Sequence, residues 1–405
     1  MNYQAMLVER FMRYTAISSQ SDASKTEVPS SPGQITLGKL LCKELTELGL
    51  EQVAQDEHGI VTARLKGNRP APAIGFVSHL DTVDVSLSPD IHPQIISYQG
   101  GDVTLNEKEH IVMPLAEHPE LNAYVGQEIL FSDGTSVLGA DNKSAMANIM
   151  TALAIVQQEQ RPHGDIYIAF VPDEEIGLRG SKLLNLEIFK PDYAYTIDSC
   201  ALGEVVYETF NAGSVTYQIQ GVTAHPMSAK GQLVNPILIA HDLIALFDRL
   251  QTPEHTADKE GYWWFQGISG DALNCTVQMH IRDFDKANYQ RRRAFAQEAA
   301  AKMQAQYPRA KISCVISDTY ENIANNVSKS DAPIAKLYAA LQALGIEAKT
   351  YAMRGGTDGS CLSARGIVTP NYFTGAHNFH SRFEFLPLQS FEKSLQVTLK
   401  LIETA

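Results

Sequence analysis

Cysteine is scarce in this sequence. Its 405 residues include only five, Cys42, Cys200, Cys275, Cys314 and Cys361, scattered along the chain and never in a C-x-x-C pair. An odd, dispersed set excludes a disulfide framework and a cysteine-held zinc knot. Positive charge is also short, since 33 Lys+Arg against 46 Asp+Glu leave −13. A nucleic-acid surface needs a concentrated basic stripe. The one basic run, Arg291–Arg292–Arg293, lies in an amphipathic helical pattern and reads as a solvated helix face. No apolar run approaches the roughly 20 residues of a membrane span. The opening MNYQAMLVERFMRY carries charges inside its apolar pattern, so it reads as a helix rather than a signal peptide, and the cytoplasm is the expected compartment. No G-x-G-x-x-G follows an early strand, which sets aside a nicotinamide enzyme. Internal repeats and low-complexity tracts are missing too.

What is present is an ordinary globular composition, 44% apolar and 20% charged, long enough for two or three domains. Such a chain buries a sizeable core unaided. A metal in it would therefore do chemistry rather than hold the fold.

Residues 3–17 and 34–49 have helical spacing, with a polar loop between them. Strand-like runs follow at 60–65 and 73–81, the second apolar until it ends in His and Asp. A polar excursion from about 84 to 136 holds short extended pieces, and 137–158 turns into a helix. Strands 165–175 and 193–199 again end in carboxylates. This alternation predicts an α/β catalytic domain around a central, mostly parallel sheet. Near 203–222 the pattern becomes that of a half-exposed antiparallel strand. With a helix over 232–250, a strand over 273–282, a helix over 286–306 and a strand over 311–318, it predicts a compact inserted α+β domain of β-α-β-β-α-β type. After about 325 the α/β character returns with a helix over 331–344, the turn 355-GGTDGS-360, a strand over 366–375 and a closing helix from 388. The expected boundaries are 1–210 and 323–405 for the catalytic domain and 211–322 for the insertion.

Five segments of the α/β part end in groups able to hold a metal: His79 and Asp81, Asp141, Glu174 and Glu175, Asp198, and His380. Oxygen and imidazole donors without thiolate suit Zn²⁺, Co²⁺ or Mn²⁺ in an open site. A carboxylate shared by two ions, with one His for each, is the economical arrangement for a two-metal hydrolase. Taken singly, each residue has a plainer reading. A strand-end His is often a surface His, Asp141 after Gly-Ala fits a helix N-cap, Glu174–Glu175 fit a solvated turn, and Asp198 fits a loop start. Four successive elements delivering such groups together point to a metal hydrolase.

Ordered motifs carry a closer likeness. The segments 75-GFVSHLDT-82, 138-LGADNKSA-145, 163-HGDIYIAFVPDEEIG-177, 195-YTIDS-199, 221-GVTAHPMSAKG-231, 280-HIRDFD-285, 355-GGTDGS-360 and 372-YFTGAHNFHSRFEF-385 resemble the M20 family of metallopeptidases, and within it the tripeptide aminopeptidases. The resemblance implies two divalent ions per subunit, Zn²⁺ first with Co²⁺ or Mn²⁺ as alternatives. His79, Asp141 and Asp198 would hold one ion, and Asp141, Glu175 and His380 the other. It implies Glu174 as general base and Asp81 as the residue that orients His79. The inserted domain would act as lid and homodimer contact, with His225 assisting at the scissile carbonyl and Arg282 meeting the peptide carboxylate. Asn322, Gly356 and Asp358 would add contacts to substrate. The implied substrates are short peptides, chiefly tripeptides, cleaved after the N-terminal residue. Nucleic acid and membrane are not expected partners.

Three positions depart from the family pattern. Asn142 stands where Asp is usual, Met227 where Gly is usual after His-Pro, and Ser199 where Gly usually follows the ligand Asp. None removes a ligand, but Ser199 and Met227 bear on substrate preference. Rivals within the same chemistry are a dipeptidase and an N-acyl amino acid deacylase. A protein that merely binds peptides would be expected to lack a ligand or the base, and here every such position is filled.

Overall fold

The computed structural model describes residues 2–405 and divides into two compact units. The larger comprises 1–207, 326–351 and 357–405, and the smaller 208–325 with 352–356.

An eight-stranded sheet organises the larger unit. Its strand order is Glu51–Gln55, Val61–Leu65, Ile166–Val171, Ile74–His79, Tyr193–Ser199, Asn371–Phe373, Glu204–Thr209 and Lys349–Met353. The four strands from Ile166–Val171 to Asn371–Phe373 run parallel, and antiparallel neighbours flank them on both sides. Strands IGFVSH and IYIAFV are buried along their whole length, as expected where both faces of a parallel sheet are covered. Phe76, Ile168, Phe170 and Tyr195 join one core cluster, whereas Val77, Ala169, Val171 and Ala194 join another. That alternation is the two-residue period of a strand. The first cluster includes helix Ala140–Gln158, buried from Ala140 to Val156 and packed by helices Tyr3–Thr15 and Leu388–Thr404. A helix covered on all sides can be apolar on all sides.

The excursion over 84–136 is more ordered than its polarity suggests. Strand Glu128–Ser132 pairs with Pro93–Ser97 on one side and with Phe385–Pro387 on the other, and a hairpin is formed by Val103–Asn106 and Ile111–Met113. Tyr98, Leu121, Phe131 and Phe385 share a separate core. This sheet anchors the segment that carries His380. The strand expected over 366–375 shortens to Asn371–Phe373.

In the smaller unit the strands run Tyr262–Gly270, Asn274–Asp283, Asn211–Gln220 and Lys311–Tyr320, all antiparallel. Helices Pro236–Ile244 and Lys286–Gln306 pack on this sheet, so the chain order is β-α-β-β-α-β. Three details correct the sequence reading. The pattern over 203–222 is two strands, broken at Phe210. The helix expected over 232–250 spans only Pro236–Ile244, because Asn235 caps its start and Asp248 caps a separate short turn, Arg249–Gln251. A fourth strand, Tyr262–Gly270, had no place in the segments assigned from sequence. A bulge between Phe265 and Gly267 interrupts its alternation. The basic run is structural: Arg292 donates to Asp283 at 2.9 Å and lies over the Trp263 ring, and Arg293 lies 3.4 Å from Asp318.

Candidate active site

Parallel strands of an α/β sheet present their carboxyl ends along one edge, where such folds place their chemistry. His79 ends Ile74–His79, Asp198 lies near the end of Tyr193–Ser199, and Glu174–Glu175 follow Ile166–Val171. Asp141 begins helix Ala140–Gln158 without helical dihedrals. Its carboxylate is the centre of the arrangement. His79 Nε2 lies 2.9 Å from Oδ1 and His380 Nε2 lies 3.1 Å from Oδ2. His380 Nε2 is also 3.0 Å from Glu175 Oε1, and His79 Nε2 is 3.8 Å from Asp198 Oδ1. The ligand atoms of His79, Asp141 and Glu175 lie within 4.8 Å of one another and form a candidate metal cluster.

The electrostatics fit a cation. Two imidazoles face four buried or nearly buried carboxyls, Asp141, Glu174, Glu175 and Asp198, while Lys143 turns away to donate to Tyr14 O and Ile17 O. Burial and the charge of Asp141 push Glu175 up to about 7 and Asp198 up to about 6. Burial, then Asp198, Glu175 and Asp358, raise Glu174 well above the usual carboxyl range, against the pull of His79. Both histidines are raised as well, which for an imidazole favours the charged form. Burial opposes their protonation, yet Asp141 and Asp198 raise His79, and Asp141 and Glu175 raise His380 to about 11. Such mutual repulsion among carboxyls is what a bound divalent ion relieves. The oxygen and nitrogen donor set also suits one.

Supporting contacts fix these side chains. His79 Nδ1 meets the main-chain oxygen of Asp81 at 3.0 Å, with the Asp81 carboxylate further off at 3.4 Å. That carboxylate accepts instead from Glu174 N at 2.9 Å and Glu175 N at 3.2 Å. Asp81 thus braces the acidic pair as well as the imidazole. Asp173, at φ 56°, is held by Ser30 N, Ser30 Oγ and Gln34 Nε2 at 2.6 to 2.8 Å. His380 also has a left-handed φ of 60° and keeps 46% of its side chain exposed. A non-glycine residue there is held against a cost of about 1–2 kcal/mol.

Two residues outside the sequence-derived set complete the cluster. Buried Glu384 accepts from Gly139 N at 2.8 Å and Asp141 N at 3.0 Å, and so grips the main chain of the central ligand. Asn142 donates to Ile197 O at 2.7 Å and to Asp198 Oδ1 at 2.9 Å. Both lie inside the quoted motifs, FEF and GADNK, but nothing local marks them as contacts.

The substrate candidates have varied surroundings. Asp358 begins helix Asp358–Ala364, is buried, and is raised to about 7 by burial, then by Asp198 and Asp81. It therefore belongs to the carboxyl cluster. The others lie in the smaller unit. His225 is exposed, and its Nδ1 accepts from Met227 N at 3.2 Å, which leaves the proton of a neutral ring on Nε2. Arg282 donates to Gly213 O and Ile281 O at 3.1 and 2.9 Å and lies over the Tyr320 ring. The amide of Asn322 is engaged with Thr209 N, Ala324 N and Phe284 O. A Cβ at Gly356 would come within 2.6 Å of the Tyr320 ring, so that packing requires glycine.

A buried carboxylate shared by two imidazoles, with an acidic pair beside it at the carboxyl edge of a parallel sheet, defines a metal-dependent hydrolase. The chain belongs to peptidase family M20/M25/M40, whose model matches residues 139–404. It is 54% identical to a peptidase T-like protein of Yersinia pestis over 97% of this chain and 96% of that one. It is 39% identical to peptidase T of Bacillus subtilis over 98% and 97%. A tripeptidase from Staphylococcus aureus shares the fold, with a TM-score of 0.77 at 22% identity over 99% of this chain and 98% of that one.

Proposed function

We propose that this protein is a tripeptide aminopeptidase that hydrolyses the first peptide bond with two divalent ions. The observation that carries the chemistry is the convergence of His79 and His380 on opposite oxygens of Asp141, with Glu175 and Asp198 beside them. His79, Asp141 and Asp198 would hold one ion, and Asp141, Glu175 and His380 the other, with Zn²⁺ preferred over Co²⁺ or Mn²⁺. Bound ions of this kind supply Lewis acidity to the attacking water and the scissile carbonyl.

The remaining work falls to side chains. Glu174 accepts a proton from the attacking water and passes it to the leaving amine. Its buried, acid-rich surroundings raise its proton affinity, which favours taking up that proton. Asp81 keeps Glu174 and Glu175 in place through their main-chain N–H groups. His225, with Nε2–H free of the Nδ1 contact, would donate to the carbonyl oxygen as charge develops. Arg282 would bind the peptide carboxylate. A guanidinium that reads this carboxylate would give a physical reason for a length limit, since a longer peptide would present no carboxylate to it and a dipeptide would fall short of it.

Resemblance and surface both support a homodimer through the inserted domain. Tyr262–Gly270 is an edge strand, and Leu238, Leu250 and Ile268 are exposed in the same unit. The reading also places the protein in the cytoplasm. No helix among the described residues is long and apolar enough to cross a membrane.

The test is hydrolysis of dialanine, trialanine, tetraalanine, N-acetyl-trialanine and trialanine amide by protein stripped of metal and reloaded with Zn²⁺, Co²⁺ or Mn²⁺. Metal-dependent cleavage of trialanine alone is expected. Cleavage of dialanine or of the acetylated peptide would instead make the chain a dipeptidase or a deacylase.

A further inference from the structure

The side chain of Asn142 is fully buried, and all its polar positions are used. Nδ2 donates to Ile197 O at 2.7 Å and Asp198 Oδ1 at 2.9 Å, and Oδ1 accepts from Ser78 Oγ at 2.5 Å. The orientation of the amide is settled by chemistry, because a main-chain carbonyl and a carboxylate both accept and only the nitrogen can face them. An ionised acid in this slot would turn an oxygen toward two acceptors and add one more charge to a crowded group of carboxyls. Asn371 meanwhile fixes the main chain of Asp198 by accepting from its N–H at 2.7 Å. The main chain and the carboxylate of Asp198 are therefore held by two different asparagines.

We infer that Asn142 is a positioning residue that aims the Asp198 carboxylate at His79 and thereby sets the affinity for one ion of the pair. This rests on the two-ion reading above. Asn142 reaches Asp198, which is proposed to ligate one ion only, so its loss should fall on that ion. The ion assigned to Asp141, Glu175 and His380 should be spared. Partners that orient metal ligands typically control affinity by 10–100-fold.

The test is a Zn²⁺ titration against a competing chelator for the full-length parent, Asn142→Ala, Asp198→Asn and the double variant. Asn142→Ala should weaken one binding step by about 10–100-fold and leave the other within about threefold. In the Asp198→Asn background the same change should shift that step by less than about threefold, the sign of two residues acting as one. Losses that multiply in the double variant, or equal weakening of both steps, would overturn the inference. Ser78→Ala provides a milder perturbation should Asn142→Ala fail to fold. It should weaken the same step by a smaller factor, and unchanged affinity there would count against the proposal. A parent that takes up one Zn²⁺ or none would instead sink the two-ion reading, a separate result visible before any variant is made.

Discussion

Glu384→Gln tests how the central ligand is held. The substitution keeps size and shape but replaces one acceptor oxygen with an amide nitrogen that can only donate. In the parent, Oε2 accepts from Gly139 N at 2.8 Å and Oε1 from Asp141 N at 3.0 Å. Glutamine can satisfy one of these buried N–H groups and must face the other with N–H. The loss is one hydrogen bond to a charged group, about 1.5–3 kcal/mol, plus a buried donor left unpaired, about 1–3 kcal/mol. Relaxation of the Gly139–Asp141 turn will recover part of this, so a net of about 3 kcal/mol is expected, roughly a hundredfold in an equilibrium constant at 1.4 kcal/mol per tenfold. The turn carries Asp141, so the cost should appear in Zn²⁺ affinity and in kcat/KM on trialanine, with a smaller fall in the melting temperature of metal-free protein. Burial and the Asp141 charge push Glu384 up to about 8, against the pull of its main-chain hydrogen bonds. The comparison therefore belongs above about pH 8, where the ionised, doubly accepting form predominates. A variant with the parent's affinity and rate would refute the argument that an ionised, doubly accepting Glu384 fixes the ligand.

Glu174→Ala should retain both ions by metal analysis yet lose at least about a hundredfold in kcat, the usual scale for a general base; near-parental turnover would remove Glu174 from that role. Asp141→Ala should lose ions as well as turnover, because both histidines converge on that carboxylate; retention of two ions by metal analysis would refute it. Arg282→Ala should raise KM for trialanine and flatten the preference between tripeptide and tripeptide amide; an unchanged preference would count against carboxylate recognition. Burial holds Lys143 down to about 7, below the ordinary lysine range, so between those values the unfolded chain binds the extra proton and folding stability should rise with pH. Denaturant titrations across that window should show the rise in the parent and its disappearance in Lys143→Met, and parallel curves would refute it.

The ends of the parallel strands were readable because burial on both faces forces unbroken apolar runs, against which a terminal His79 or Asp198 stands out. Nothing comparable marks Glu384. Its partners are more than two hundred residues away, and its neighbours Phe383 and Phe385 suggest only a strand face. The three-stranded sheet was hidden for the same reason, since Phe385–Pro387 pairs with Glu128–Ser132 across most of the chain. Strand Tyr262–Gly270 was missed on local grounds, because its bulge and two glycines break the alternation that identifies strands. Asn142 was noticed as a departure from a family pattern. Its use as a donor to Asp198 emerged only when the turn brought the two together.

The span between Asp141 and His380, 239 residues, also has a meaning in time. Chains grow from the N-terminus at about 5–20 residues per second. Asp141 therefore leaves the synthetic machinery on the order of tens of seconds before His380 and Glu384 exist. Throughout that interval the acidic strand ends can be in place while the second imidazole and the grip on Gly139 and Asp141 are missing. On the proposed assignment of His380 as a metal ligand, the second ion's site closes only once translation has passed that segment.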